Sequence, residues 1–233
     1  MNNKSSIEIV EKLISKAKKA QSIFESYNQK KVDEVITAVA WSLCKPSNNK
    51  KISDLAVSET GLGNSKDKIL KNRRKTLGLL RDLKNIKTVG VISEDKEKGI
   101  IEIAKPVGVV AAVTPSTNPA ATPINNIINA LKGRNAIIVS PSPAGSKVFR
   151  DLLVLINTEL KKIGAPKDLI QTFECDITKE LTNELMKNVD LVIVTGSLNN
   201  VREAARSGTK AIGVGQGNVT SIVDETANLD EAF

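Results

Sequence analysis

Val107-Gly-Val-Val-Ala-Ala-Val-Thr-Pro-Ser-Thr-Asn-Pro119 runs from an apolar stretch straight into a stiff polar corner. No side chain from Val107 to Val113 is polar, as a strand covered on both faces requires. Pro115 and Pro119 then forbid simple continuation as helix or strand, because each fixes φ and lacks an N–H donor. The stretch reads as a buried strand whose tip holds Asn118 in a rigid polar turn.

Downstream, short apolar runs alternate with helical patterns. The strands are read at Gly108 to Val113, Ala136 to Val139, Ile170 to Phe173, Leu191 to Val194 and Ala211 to Val214, with Thr220 to Val223 as a further short one. The helices between them are read at Pro123 to Leu131, Gly145 to Ile163, Lys179 to Met186 and Val201 to Arg206. Strands lacking polar alternation, separated by helices, predict an α/β fold with a doubly wound parallel sheet and right-handed crossovers.

Upstream the period is helical. Ile7, Val10, Leu13, Ile14, Ala17 and Ala20, then Val32, Val35, Ile36, Val39, Ala40 and Leu43, mark two amphipathic helices. The pattern continues through Lys51 to Glu59, Gly61 and Gly63 interrupt it, and Lys66 to Leu83 forms a strongly basic helix. Two β-rich runs follow, Lys87 to Ser93 and Gly99 to Ala104, joined by the charged turn Glu94 to Lys98, which is a hairpin signal. The chain is thus divided at residues 1–86 (helical), 87–105 (hairpin) and 106–233 (sheet).

Composition narrows the chemistry. The 233 residues are 40% hydrophobic and 26% charged, with aromatics at only 3%, so the core is built mostly of Ile, Leu, Val and Ala. The formal charge of +8 permits anionic partners but selects none. Its excess lies on helix-like segments without interleaved aromatics and reads as solvated faces, not as a nucleic-acid groove. There is no histidine, which excludes Ser/His/Asp and Cys/His catalysis and histidine metal sites. Cys44 and Cys175 are distant in sequence and form no zinc site; with no apolar leader in view, they read as reduced thiols of a cytoplasmic protein. No stretch approaches the length of a membrane span, so no membrane partner is expected.

In open parallel sheets ligands sit beyond the carboxyl ends of the strands, where strand order reverses. The corners that qualify are Thr114 to Pro119, Ser140 to Pro143, Glu174 to Asp176 and Thr195 to Ser197. Thr195-Gly-Ser197 precedes a helix, so it reads either as a phosphate cradle or as a plain N-cap. Gly213-Val-Gly-Gln-Gly-Asn218 reads as close approach to a ligand or as a turn or bulge. No Gly-x-Gly-x-x-Gly follows the first strand and no Gly-x-x-x-x-Gly-Lys-Ser/Thr occurs.

Taken in order, Lys105 to Pro119, Ala130 to Pro143, Thr195 to Ser197, Ala211 to Asn218 and Asp224 to Ala227 resemble the aldehyde dehydrogenase superfamily, specifically its CoA-acylating branch. The resemblance extends over essentially the whole chain. It implies a Rossmann-like cofactor region, NAD or NADP as cofactor, a small aldehyde as substrate and coenzyme A as co-substrate. Asn118 would donate its side-chain amide to the aldehyde oxygen as negative charge develops. Thr114 and Pro115, with Ser140, Pro141 and Ser142, would flank the cofactor; Gly196 and Ser197 would meet its pyrophosphate, and Gly213, Gly215 and Gly217 would run near the nicotinamide.

The chain also departs from the family pattern. The family's nucleophilic cysteine lies beyond the Asp224-Glu-Thr-Ala227 element, and neither Cys44 nor Cys175 occupies its place. Ser142 stands where relatives commonly carry histidine, and Ser197 where they often carry a second glycine. The expectation is the cofactor-binding portion of the enzyme without its catalytic domain, inactive alone. The competing reading is a non-catalytic cofactor-binding or assembly subunit. Relatives of this kind are homo-oligomeric, so the hairpin edge and the apolar faces of the N-terminal helices are expected to be exposed unless another chain completes the fold.

Overall fold

The computed structural model describes residues 5–215, 217 and 220–232. Its axis is β3 (Val109–Thr114), in which all six residues are buried. The sheet runs outward from here in both directions: β3 pairs in parallel with β4 (Ala136–Pro141) on one side and with β6 (Leu191–Thr195) on the other. β5 (Ile170–Thr172) lies outside β4 and β7 (Ala211–Val214) outside β6, giving the order β5-β4-β3-β6-β7. The chain steps from β3 to β5, then restarts on the far side at β6. Strand order therefore reverses between β3 and β6, which opens a crevice at their carboxyl ends.

The connecting helices are α5 (Ala121–Lys132), α6 (Ser146–Lys162), α7 (Lys179–Asn188) and α8 (Leu198–Arg206). Before them come α1 (Ser6–Glu25), α2 (Gln29–Cys44), α3 (Pro46–Thr60) and α4 (Ser65–Leu83). Each start is fixed locally: Ser5, Asn28 and Asn64 accept from backbone amides of α1, α2 and α4, and Pro46 opens α3. Gly61 ends α3 in the left-handed conformation (φ 65°).

The expected exposure of the N-terminal apolar faces is corrected by the structure for α1 and α2, while on α4 Leu70 and Leu77 are exposed as expected. Val10, Ile14, Ala17 and Phe24 of α1, and Val32, Val35, Val39 and Leu43 of α2, are buried in the same core as the sheet. α1 packs on α7 and β4, α2 on α5 and α6, and α4 on α2, α3 and α5. Each fully buried Val, Leu, Ile or Phe contributes roughly 1.5–3 kcal/mol of transfer free energy, so these helices are integral to the fold. The hairpin, β1 (Gly90–Asp95) with β2 (Ile100–Ala104), is antiparallel and separate from the main sheet. Val91, Ile92, Ile100, Ile101 and Ile103 on it are exposed, as expected of an unpartnered ribbon.

The strand expected at Thr220 to Val223 does not form. A short apolar run becomes a strand only when a neighbour accepts its amides, and here Ile222 is 90% exposed. A short final helix, α9 (Leu229–Ala232), follows it. Among the described residues no helix is long and apolar enough to cross a membrane.

Candidate functional site

A cleft of about 780 Å³ occupies the switch point. That volume suits a small-molecule or cofactor site, typically ~300–1,000 Å³. Three strand-end corners meet there. From β3 come Thr114, Pro115 and Asn118; from β4 come Ser140, Pro141 and Ser142; from β6 come Gly196 and Ser197. Gly215 reaches the cleft from the end of β7.

The corners are tied to one another. Ser142 N–H donates to the Thr114 carbonyl at 3.0 Å. Ser142 Oγ in turn accepts from Gly145 N–H at 3.2 Å, which starts the turn into α6. A Cβ placed on Gly145 would come 3.1 Å from Pro119 Cβ, so glycine here lets the second corner close against the first. Ser140, buried, shares a hydrogen bond of 2.9 Å with the Thr182 hydroxyl on α7.

Asn118 is half-buried and does not act as a side-chain cap of α5, whose N-cap position is Ala120. Only its backbone takes part, the carbonyl accepting from Thr122 N–H at 3.4 Å. Its Oδ1 and the Oγ1 of Thr114 are both enclosed without a hydrogen-bond partner. Buried polar atoms are nearly always paired, so two orphans on one wall of a cleft point to a ligand. On the opposite wall Ser197 caps α8, its Oγ accepting from Asn200 N–H at 3.3 Å. The first turn of α8, where the positive end of its dipole lies, lines the cleft through Asn199 and Asn200. Gly196 N–H is spoken for: it donates to the Val214 carbonyl at 3.2 Å.

Two predicted glycines are elsewhere. Gly213 is not a cleft residue; a Cβ on it would come 2.6 Å from Val201 Cγ1, so its bareness lets α8 dock on β7. Gly217 is exposed, with open space around it, and Gln216 and Asn218 of the same run lie outside the described residues. Neither thiol lines the cleft: Cys175 is exposed beyond β5, and Cys44 is half-buried at the end of α2, where burial raises its pKa.

Sequence reasoning missed the helical wall. Thr178, Lys179, Thr182 and Met186 from α7, with Asn200 and Glu203 from α8, line the same cleft. Lys179 is the one cation and Glu203 the one carboxylate among the lining residues. Only the Thr178 N-cap left a local signal, its Oγ1 accepting from Leu181 N–H at 3.1 Å. Among the described residues no three Cys, Asp or Glu side chains gather as a metal-ligand set.

Comparison with known proteins places residues 3–233 within the model of the aldehyde dehydrogenase family. The chain is 52% identical over 225 residues to an acylating sulfoacetaldehyde dehydrogenase of Cupriavidus necator, covering 97% of this chain and 46% of that protein. It is 42% identical over 232 residues to an acetylating succinate-semialdehyde dehydrogenase of Clostridium kluyveri, covering 100% and 50%. The chain thus spans about half the length of the curated relatives it matches. Among solved structures, an acetylating aldehyde dehydrogenase from Geobacillus thermoglucosidasius superposes with a TM-score of 0.87 at 39% identity, over 92% of this chain and 47% of that one. A propionaldehyde dehydrogenase from Rhodopseudomonas palustris with bound propionyl-CoA gives 0.79 at 32% identity, over 96% and 49%. An engineered glycolyl-CoA reductase with bound NADP+ gives 0.79 at 31% identity, over 96% and 50%.

Proposed function

The chain belongs to the aldehyde dehydrogenase family, and on that premise we propose that it is the cofactor-binding part of a CoA-acylating aldehyde dehydrogenase. The overall reaction would take an aldehyde, CoA and NAD(P)+ to an acyl-CoA and NAD(P)H. The observation that carries this reading is the cleft that joins Asn118 to the first turn of α8, with the orphaned Thr114 Oγ1 and Asn118 Oδ1 between.

The residues present fit a dinucleotide. Ser197 and the first-turn amides of α8 would hold its pyrophosphate, Ser140, Pro141 and Ser142 would flank its adenosine half, and Thr114 and Pro115 would also line the cofactor. Gly215 is the glycine of its run that reaches the cleft. When bound, the nicotinamide supplies a hydride acceptor. Asn118 would donate its side-chain amide to the aldehyde oxygen as negative charge builds there. Pro115 and Pro119 hold that donor in place, so no reorganisation is needed when charge develops; such donors contribute roughly 3–4 kcal/mol of transition-state stabilisation. Coenzyme A would remove the acyl group at the end of the cycle.

The thiol that attacks the aldehyde has no candidate at the cleft, since Cys44 and Cys175 both lie outside it. We therefore infer that these residues bind cofactor and orient substrate, and that catalysis needs a thiol from beyond them. The exposed apolar hairpin supplies an edge for a second copy or a complementing chain. Reduced thiols suit a cytoplasmic setting.

One observation favours a second reading, a subunit that binds or assembles without catalysis. The Gly196 amide and the Ser140 hydroxyl, both expected at the cofactor, are hydrogen-bonded within the protein. Titration of the purified chain with NADH, NADPH and CoA separates the two. Saturable binding of a nicotinamide cofactor supports the first reading, and no binding of any of the three at millimolar concentration overturns it.

A further inference from the structure

Behind the Asn118 corner lies a second space of about 730 Å³. Thr117 lines both this space and the cofactor cleft, and Asn118 is the next residue along the chain. The far wall is α4, which contributes Lys68, Lys71, Arg74 and Lys75.

Helical geometry explains how a lysine comes to be enclosed here. Lys68, Asn72 and Thr76 recur every fourth residue on one face of α4, and all three are buried. Asn72 Nδ2 donates to Asn49 Oδ1 and to Ser53 Oγ, both at 3.1 Å, while Asn49 Nδ2 donates to the Ile69 carbonyl at 2.9 Å. Directional bonds of this kind fix the rotation of α4 against α3, where an apolar stripe could slide. Lys68, at the end of the stripe, is left only 6% exposed, and its Nζ reaches the Thr117 carbonyl at 3.4 Å.

That ammonium is poorly compensated. Among the described residues none of Lys68, Lys71, Arg74 and Lys75 forms an ion pair. Asp67, the carboxylate on the wall, instead accepts from Asn64 Nδ2 at 2.6 Å. Burial, then the neighbouring Lys71, push Lys68 below the usual lysine value. Enclosing a cation without a partner is costly, and an anion entering this space would offset that cost.

We propose that this space receives the anionic end, a sulfonate or a carboxylate, of the aldehyde whose carbonyl is held at Asn118, with Lys68 as the principal donor. The proposal rests on the reading of Asn118 given above and deepens it by naming the substrate class. An aldehyde with a neutral tail leaves Lys68 unpaired, so the same contact that attracts an acidic aldehyde discriminates against a plain one. Lys71 and Arg74 add attraction without needing a fixed geometry.

The test titrates the purified chain with sulfoacetate, succinate and uncharged acetamide, followed by NMR, in the wild type, Lys68→Met and Lys68→Arg. NADPH is titrated against the same three proteins. The expected result is that an acid probe binds the wild type, that Lys68→Met weakens it about 10- to 100-fold, and that Lys68→Arg recovers part of the loss, with NADPH affinity unchanged. The stronger of the two acid probes identifies a sulfonate or a carboxylate. Acid probes that bind no better than acetamide, or that ignore Lys68→Met, overturn the proposal. So does a parallel loss of NADPH affinity, which would assign the lysine to the nucleotide. If the acid probe binds through Lys68 but NADPH does not bind the wild type, the anion subsite stands and the cofactor reading falls.

Discussion

Replacing Asn135 with alanine is expected to cost about 3 kcal/mol of folding stability. Asn135 is 8% exposed and lies at the entry to β4. Its Oδ1 accepts from Val107 N–H at 2.7 Å and Gly108 N–H at 3.0 Å, and its Nδ2 donates to the Ala130 carbonyl at 3.0 Å. The next amide, Val109 N–H, goes to Asp190 Oδ2 at 2.7 Å, so side chains take up the entire entry to β3. The backbone has little room to adjust, because Gly108 sits at φ 125° and a Cβ there would collide with Asp190. Two amides lose their partner at once, and the Ala130 carbonyl loses one of its two bonds, keeping the backbone N–H of Asn135 at 3.0 Å. Each orphaned amide costs roughly 1–3 kcal/mol if enclosed and less where water can reach it, and Val107 is exposed; about 3 kcal/mol is the resulting sum. With a urea slope near ~3 kcal/mol per molar for a chain of this size, the unfolding midpoint should fall by about 1 M. A fall smaller than about 0.3 M would mean that these bonds do not hold the strand entry, and the reasoning would fail.

Gly213→Ala should destabilise by about 1–3 kcal/mol by driving a methyl into Val201, and the added change Val201→Ala should return much of it; a double mutant no more stable than the single excludes that contact. Lys68→Met should raise stability at neutral pH. The folded-state value of Lys68 lies below its unfolded value, so the cost of charging it in the fold is full at low pH and disappears as pH rises toward the free lysine value; urea midpoints of the two proteins should therefore converge near pH 10, and a constant gap contradicts this. Burial raises the Cys44 pKa, so iodoacetamide at pH 8 should label exposed Cys175 about tenfold faster, as read by mass spectrometry; equal rates would show that α2 does not shield its thiol.

The parallel sheet was legible because its strands carry no polar alternation, and a run such as Val109 to Val113 has only one environment in which it is satisfied. Strand-end corners followed from that, since ligands gather where strand order reverses. The helical wall of the cleft was not legible: Thr182 and Asn200 are ordinary surface residues of amphipathic helices until the fold turns them toward the crevice. Glycines were ambiguous for a related reason. Gly213 and Gly215 lie two residues apart on one run, yet one faces Val201 and the other the cleft, which only the packing of α8 decides. Thr220 to Val223 has strand-like residues but no neighbour to pair with, and strand formation is a property of pairs.

The corner that carries Asn118 also shows why the four N-terminal helices belong to the site. Proline alone fixes two φ angles of the corner; the rest of its shape is imposed from three directions. Ser142 N–H holds the Thr114 carbonyl from β4, Gly145 closes on Pro119 from the start of α6, and Lys68 Nζ reaches the Thr117 carbonyl from α4. The first two contacts come from the turn that follows β4. The third depends on α4, which is held in rotation by Asn49 and Ser53 of α3. Loss of the α3–α4 packing would release one side of the turn that aims Asn118. The sequence places these parts 49 residues apart, Lys68 on a basic helix and Thr117 at a strand end, and only their packing makes them one wall.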